Sequence, residues 1–203
     1  MNKDRLIVLG SVSPRRRQLL ETLTLPFRTE VPDAEEKDAN EKNVDSITSE
    51  NAYQKASSIL SCLQSANEVA LGADTLVVLE DEVLGKPKDR AEVLSSMKKL
   101  SGRTHRVVTG ICLISPRLGS RRAIDSSYVT FRKISESEMS DYADIAEPYD
   151  KAGAYAVQGA GAIFIDKIVG SYTNVMGLPI ECLLKEMAQL LGISVFDLFQ
   201  KVR

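Results

Sequence analysis

Histidine, cysteine and tryptophan are scarce in this chain, and their scarcity excludes several classes of site. Among 203 residues there are one histidine, His105, three cysteines and no tryptophan. Hydrolases built on H-E-x-x-H or on a Ser-His-Asp triad would have to rely on that one histidine, and the nucleophile motif G-x-S-x-G is missing. The cysteines at 62, 112 and 182 are too far apart for a C-x-x-C zinc ribbon, and they indicate reduced thiols in a cytoplasmic protein. Catalysis here should therefore run on carboxylates, cations and a divalent metal ion.

Long apolar runs and an excess of basic residues are also absent. The net charge is −2, whereas nucleic-acid-binding proteins present basic surfaces. Only four consecutive apolar residues, 6–9, stand near the N-terminus, too few for a signal peptide or a membrane-spanning helix. No internal repeat and no linker divides the chain, so we expect residues 1–203 to form a single domain with two lobes around a cleft. Neither a nucleic acid nor a membrane is expected as a partner.

Residues 6–20 predict a buried strand, a tight turn and a helix that begins at once. The apolar run 6–9 has the length of a strand. Ser13 is suited to the position that caps a helix. Pro14 suits the first helical position, because the N–H that it lacks would be unpaired there anyway.

Three arginines occupy the first turn of this predicted helix. The positive end of the helix dipole makes cations unfavourable there unless an anion binds, and free N–H groups together with guanidinium groups describe a phosphate site. The apolar face at 19, 20 and 23 places Arg16 on the covered side, Arg15 beside it and Arg17 away from it. We expect Arg15 and Arg16 to contact the ligand and Arg17 to face solvent. A surface helix with a solvated basic turn is the alternative.

Asp74 lies in the middle of 69–79, the most apolar run in the chain. A carboxylate on a central strand is unfavourable unless it is paired or bound to a metal ion. Gly72 and Ala73, just before it, leave space for a close approach to the backbone. Pairing with an arginine and metal binding both remain open. Further on, Pro87 holds Lys86 in an extended conformation, which would direct its ammonium group back across the cleft.

The rest of the chain alternates helical and strand patterns. Residues 33–46 are acidic and polar, and they form either a solvated loop or a loop from which one or two carboxylates approach a metal ion. An amphipathic helix is predicted between Ile47 and Leu63, capped by Thr48 or Ser49, with Lys55 on the flank of its apolar face, as is typical of surface lysines. Strands are expected at 27–31, 106–114, 123–131 and 163–165, and helices at 89–100, 135–142 (opened by a capping box) and 180–191.

Taken together, these motifs resemble those of the Maf family of nucleoside triphosphate pyrophosphatases. The similarity runs in register from about Leu6 to Leu191. Eight motifs carry it: 11–16 (SVSPRR), Glu35-Glu36, 50–56 (ENAYQKA), 72–75 (GADT), 85–87 (GKP), 100–105 (LSGRTH), 150–159 (DKAGAYAVQG) and 175–179 (VMGLP).

The resemblance implies an α/β fold with a mixed central sheet flanked by helices, similar to that of inosine triphosphatases, with a cleft between two lobes and usually a homodimer. It implies hydrolysis of a nucleoside triphosphate to the monophosphate and pyrophosphate, with Mg²⁺ or Mn²⁺ as cofactor. Asp74 and Glu36 would be the metal ligands, and Asp74 would orient or deprotonate the attacking water. Carried over position by position, the phosphate-binding and catalytic residues are Ser11, Arg15, Arg16, Glu36, Lys55, Asp74 and Lys86.

Gln158 bears on the choice of base. An amide matches the carbonyl and N–H groups of uracil and thymine, whereas a carboxylate would suit guanine better. Within the family, glutamine here resembles the branch that acts on dTTP and UTP, modified pyrimidine nucleotides included. The lack of tryptophan removes the best cation–π partner for a methylated purine. Two other functions stay open: a nucleotide-binding regulator of septum formation and cell division, and an inosine-triphosphatase-like enzyme for altered purine nucleotides.

Overall fold

One mixed sheet forms the centre of the protein. The computed structural model describes residues 6–40, 42–146 and 148–199. The strands found in these ranges are β1 (Ile7–Gly10), β2 (Phe27–Glu30), β3 (Val69–Leu79), β4 (Glu82–Leu84), β5 (Thr104–Ser115), β6 (Gly119–Phe131) and β7 (Ile165–Val169). The α-helices are α1 (Pro14–Glu21), α2 (Val44–Ser58), α3 (Arg90–Leu100), α4 (Glu136–Ile145), α5 (Tyr172–Val175) and α6 (Ile180–Leu191).

The strand order leaves a gap at one edge of β3. The sheet runs β2-β1-β3-β5-β6-β7, with β4 beside β3. β1 is parallel to β2 and to β3, and the remaining pairs are antiparallel. β1 covers β3 over Val69–Gly72 and β4 covers the same edge over Val77–Leu79. Residues 73–76 have no strand neighbour at that edge in the described chain. The mixed sheet with helices confirms the predicted fold class, and the gap opens a cleft where parallel β1 ends.

Two apolar clusters cover one face of β3 on either side of this gap. Residues 69, 71 and 73 pack with α1 and α6, and residues 77 and 79 pack with α3 and α4. Because side chains alternate along a strand, Thr75 belongs to the same face and lies between the clusters. The other face packs on α2. The single domain with two lobes over 1–203 stays a prediction.

Helix α2 lies unusually close to the sheet. A Cβ on Gly72 would fall well inside van der Waals distance of the Ala52 carbonyl oxygen and 2.6 Å from the Ala56 nitrogen. One on Gly110, the β5 residue beside Asp74 in the register, would lie 2.7 Å from the Thr48 oxygen. The glycines therefore let the helix backbone approach the strands directly.

The structure corrects the predicted bounds of α2. The helix begins at Val44, not after Thr48 or Ser49, and it ends at Ser58. Asn43 is the residue before the first turn, and its side-chain oxygen accepts the Asn40 N–H at 2.7 Å. Val44 is buried and adds an apolar position before Ile47, while Thr48 lies inside the helix and donates to the Val44 carbonyl.

Two other predictions are corrected near turns. Ser13 does precede α1, but its side chain makes no capping bond; instead its N–H donates to the Ser11 hydroxyl at 3.1 Å. The strand expected at 163–165 begins only at Ile165, because residues Gly159–Phe164 form a 3-10 turn. The caps of α3 by Asp89 and of α4 by Ser135 are confirmed.

The cysteine side chains form no disulfide bond in the structure. Cys62, Cys112 and Cys182 are all free thiols. Within the described ranges, no helix combines the length and the apolar character that crossing a bilayer requires.

His105 lies in the core of the protein. Its Nε2 atom is 2.6 Å from the Tyr155 hydroxyl, and its ring packs edge-on against Phe131 and Tyr155. Its Nδ1 atom is buried without a hydrogen-bond partner in the described chain. Burial lowers the pKa of His105 from 6.5 to about 4, because a charged ring would be poorly solvated there.

Replacing Gly72 by alanine should destabilise the fold. The new Cβ cannot be accommodated unless α2 moves away from β3, so we expect the free energy of unfolding to fall by about 2 kcal/mol. Gly85→Ala is the matched control, since its Cβ would meet no atom within 4 Å. Urea unfolding followed by circular dichroism compares the two, and equal stabilities would contradict the close approach.

The buried histidine should make the protein acid-sensitive. In the unfolded chain His105 takes up a proton below pH 6.5, whereas in the folded protein it does so only near pH 4. Acid therefore favours unfolding, and between pH 7 and 4.5 this residue should remove about 2.5 kcal/mol of stability. Urea unfolding at both pH values should show a drop that is smaller by this amount in His105→Gln. An identical drop in both proteins would contradict a neutral His105.

Candidate active site

A cavity of about 710 Å³ opens at the gap beside β3. It is lined by the end of β1, the first turn of α1, the loop after β2, one face of α2, and the turns at 150–157 and 175–177. Cations and carboxylates both contribute to its wall. The cations are Arg15, Arg16, Lys37, Lys55 and Lys86, and the carboxylates are Glu36, Asp38, Asp74 and Asp150.

Lys55 joins two carboxylates at the floor of the cavity. Its Nζ atom lies 2.7 Å from Asp74 Oδ1 and 2.8 Å from Glu36 Oε1. The side chains of Lys55 and Asp74 are only 8% and 6% exposed, whereas that of Glu36 is 47% exposed. Asp74 is thus paired with a lysine instead of the arginine considered from sequence. A buried charge is tolerated when it is paired in this way.

Asn51 completes the surroundings of Asp74. Its Nδ2 atom donates to Asp74 Oδ2 at 3.1 Å, and Asn51 is almost fully buried. Both oxygens of Asp74 therefore accept hydrogen bonds, one from a lysine and one from an amide. Each oxygen keeps a second lone-pair site for another donor.

Arg16 ties three parts of the cavity wall together. Its Nε atom donates to the Gly177 carbonyl at 2.7 Å, Nη2 to Thr75 Oγ1 at 3.0 Å and Nη1 to Ser11 Oγ at 3.3 Å. Burial lowers the pKa of Arg16; Asp74 opposes this shift and Arg15 adds to it. A guanidinium stays charged at neutral pH even so.

The other cations are less constrained. Arg15 lines the cavity and makes no hydrogen bond or ion pair with another described residue. Lys86 Nζ lies 3.9 Å from Glu36 Oε2, so its ammonium does point across the cleft, and the Lys86 side chain is 58% exposed. Arg17 faces solvent, as predicted, and pairs with Glu21 at 3.0 Å.

The structure brings seven of the eight predicted site residues to one cavity. Ser11, Arg15, Arg16, Glu36, Lys55, Asp74 and Lys86 all line it. Gln158 is partly buried and is not among the lining residues, although its neighbours Tyr155 and Val157 are. Its role in base recognition stays a prediction.

Sequence reasoning assigned no site role to several other residues that line the cavity. Asn51 precedes Lys55 by four positions and so shares its helix face, a spacing that would have pointed to it. Thr75 follows Asp74 directly but faces the other side of the sheet, where it meets Arg16. Gly177 (φ 101°) accepts from Arg16 through its carbonyl, and no side-chain pattern predicts that contact.

The donor set fits a divalent cation that is shared with a polyphosphate. In the described parts of the chain, no group of three or more His, Cys, Asp or Glu side chains is arranged to hold a metal ion unaided. Asp74 and Glu36 contact the same ammonium group, so their oxygens lie close together. Mg²⁺ is commonly bound by one or two carboxylates together with substrate phosphates, and these two residues meet that requirement.

The arginine contacts lead to a binding prediction. Arg16→Lys removes the planar fork that reaches Thr75 and Gly177, so we expect at least a tenfold weaker affinity for inorganic pyrophosphate. Arg17→Lys, one residue further on and exposed, is the matched control and should bind within about twofold of wild type. Calorimetric titration measures both. Because both substitutions keep the charge, unchanged affinity in Arg16→Lys would show that the turn acts only through its total charge.

Comparison with known proteins identifies the family of this chain. The family model described as Maf-like protein matches residues 6–190. A dTTP/UTP pyrophosphatase from Thermoanaerobacter sp. (strain X514) is 43% identical over 183 residues, which cover 86% of this chain and 91% of that protein. A dTTP/UTP pyrophosphatase from Bacillus mycoides is 40% identical over 185 residues, covering 91% and 95%.

One solved structure, a nucleoside-triphosphatase / dITP/XTP pyrophosphatase from Mycobacterium abscessus, is 13% identical and covers 92% of this chain and 97% of its own, with a TM-score of 0.44. That score is too low to support an inference. The family match spans nearly all of the chain, and the alignment with each of the two relatives covers most of this chain and most of the relative. The chain belongs to the Maf family.

Proposed function

We propose that this protein hydrolyses nucleoside triphosphates to the monophosphate and pyrophosphate, with dTTP and UTP as its main substrates. The observation that carries the proposal is the buried Asp74, held by Lys55 on the floor of a cavity whose wall carries several cations. This arrangement combines a group that can accept a proton with groups that can bind a polyanion. The names of the relatives from Thermoanaerobacter and Bacillus support the same activity.

The cations have donors left for phosphate oxygens. Arg16 uses three of its five N–H groups on the protein, which leaves two for a ligand. Lys55 donates one of its three to Asp74 and forms an ion pair with Glu36. Arg15 adds a guanidinium at the start of α1, where main-chain N–H groups and the helix dipole also favour an anion. Together these groups would bind the triphosphate and stabilise the charge that develops on the leaving pyrophosphate.

Asp74 is suited to act on the attacking water. In the reaction the water oxygen forms a bond to the α-phosphorus, the bond from that phosphorus to the bridging oxygen breaks, and pyrophosphate leaves. The water proton passes to a base, and Asp74 is the buried carboxylate beside the cations. The contacts from Lys55 and Asn51 fix its orientation.

A divalent cation, Mg²⁺ or Mn²⁺, is part of the proposal. Asp74 and Glu36 would hold it together with phosphate oxygens. When bound, such a cation neutralises phosphate charge and makes water more acidic. Lys55, which contacts both carboxylates, limits their mutual repulsion before the cation enters.

The preference for pyrimidine nucleotides depends on the relatives more than on the cavity. Both relatives are named for dTTP and UTP, and the glutamine expected to read the base, Gln158, lies outside the lining residues. A homodimer and a cytoplasmic location belong to the same proposal. The family resemblance supports the dimer, and the free thiols support a reducing compartment.

Turnover is tested with a panel of nucleoside triphosphates and Mg²⁺ or Mn²⁺, with pyrophosphate release as the readout. We expect dTTP and UTP to be hydrolysed fastest. Asp74→Asn keeps the shape of the side chain but removes the base, so kcat should fall at least a hundredfold. Asp166→Asn, on the exposed side of β7, is the matched control and should retain wild-type turnover.

Each outcome of this experiment discriminates among the functions considered. Faster turnover of dITP or XTP than of dTTP would favour an enzyme for altered purines. Absence of turnover for every nucleotide by folded wild-type protein would contradict the proposal and favour a regulator that only binds nucleotides. Undiminished turnover by Asp74→Asn would remove Asp74 from the mechanism.

A further inference from the structure

The side chain of Asn51 connects the loop after β2 to the floor of the cavity. Asn51 lies in α2 and is 2% exposed. Its Oδ1 atom accepts the Lys37 N–H at 2.8 Å, and its Nδ2 atom donates to the Lys37 carbonyl at 3.0 Å and to Asp74 Oδ2 at 3.1 Å. The amide thus pairs with both main-chain groups of Lys37, as a neighbouring strand would, and uses its second N–H on Asp74.

This pairing supplies the main-chain anchoring of the loop, whose side chains at Glu36 and Lys37 also form ion pairs with Lys55 and Glu50. Residues 31–40 form neither helix nor strand. Among the described residues, the main-chain hydrogen bonds of 33–39 are the two made with Asn51. Glu36 precedes Lys37 directly, so fixing the backbone of Lys37 also limits where the Glu36 carboxylate can lie.

We propose that Asn51 is a positioning residue that holds Glu36 and Asp74 at the correct separation for a cation and a polyphosphate. One amide binds the loop that carries Glu36 and the carboxylate of Asp74, so the two acidic groups share a single support. Lys55, one turn further along α2, contacts the same two groups. The inference depends on the proposed function only for its catalytic consequence, because the anchoring of the loop is a property of the protein alone.

A purely structural role for Asn51 makes a different prediction. A buried amide that merely stabilises the core would lower stability when it is removed, but it would leave the loop and the binding of ligand unchanged in the protein that remains folded. A positioning role requires that the loop opens and that the binding of a metal–polyphosphate weakens. Proteolysis of the loop and calorimetry measure these two properties separately.

The test compares Asn51→Ala with Thr48→Ala. Thr48 is also buried in α2, donates one hydrogen bond to Val44 and does not line the cavity. Trypsin cleaves after lysine, and Lys37 is 57% exposed at its side chain. Cleavage after Lys37, identified by mass spectrometry, should be about tenfold faster in Asn51→Ala, because the lost hydrogen bonds favour local opening. It should stay within about twofold of wild type in Thr48→Ala.

The second readout is calorimetric binding of magnesium pyrophosphate. Residues that support metal ligands typically change affinity by about 10- to 100-fold when they are removed. We therefore expect at least tenfold weaker binding in Asn51→Ala, an equal or larger loss of kcat/KM with dTTP, and wild-type values in Thr48→Ala. If Asn51→Ala does not fold by circular dichroism, Asn51→Ser, which is too short to reach both Lys37 and Asp74, replaces it.

The outcomes separate this inference from the proposed function. Unchanged cleavage after Lys37 would show that Asn51 does not anchor the loop. Faster cleavage with unchanged magnesium pyrophosphate binding would reduce Asn51 to a structural residue. Either result overturns the inference. If wild-type protein turns over no nucleotide, the proposed function fails, while cleavage and calorimetry still decide the role of Asn51.

Discussion

The contact between Lys55 and Asp74 is the constraint on which the rest of the site depends. Both groups are withdrawn from water, and removing one partner of such a pair typically costs about 3–5 kcal/mol because the other charge is left buried and unpaired. The contact requires α2 to lie almost directly on the sheet, and Gly72 and Gly110 make that approach possible. The small residues of the sheet and the charges of the cavity are therefore parts of one arrangement.

The sheet topology explains why this pair faces a cavity instead of a closed core. β1 ends at Gly10 and β4 begins to pair only at Val77, so the edge of β3 between them is open to ligand. Asp74 and Thr75 lie at this gap on opposite faces of the sheet. Asp74 meets the helix that carries Lys55, and Thr75 meets Arg16 from the helix after β1. One short stretch of strand thereby collects charged groups from two helices.

Local patterns predicted this arrangement as far as it depends on neighbours in sequence. Two features can be recognised from the sequence because each conflicts with its immediate surroundings. They are the turn that carries Arg15 and Arg16, and the aspartate in an apolar strand. Lys55 is not visible in this way, since its position on the flank of α2 is ordinary and its burial depends on Gly72 and Asp74, distant in sequence. The start of α2 was misplaced because Val44 becomes apolar core only when β3 and β5 are present. The role of Gln158 is predicted from the match of an amide to pyrimidine bases and from family resemblance, and neither carries information about where the side chain lies relative to the cavity.

The charged groups of the cavity differ in how firmly they are held, and that difference bears on how a polyanion can enter. Lys55, Asp74 and Arg16 are fixed by short contacts at buried positions. Lys86 and Glu36 are about half exposed and 3.9 Å apart, and an exposed pair of this kind contributes at most about 1 kcal/mol. Exchange of that weak contact for phosphate oxygens or a cation is therefore inexpensive, whereas exchange of the Lys55–Asp74 contact is not. The buried groups can orient the reacting atoms while the exposed groups adjust to the incoming charge. Glu36 is exposed but must still lie near Asp74, so its position depends on how the loop that carries it is anchored.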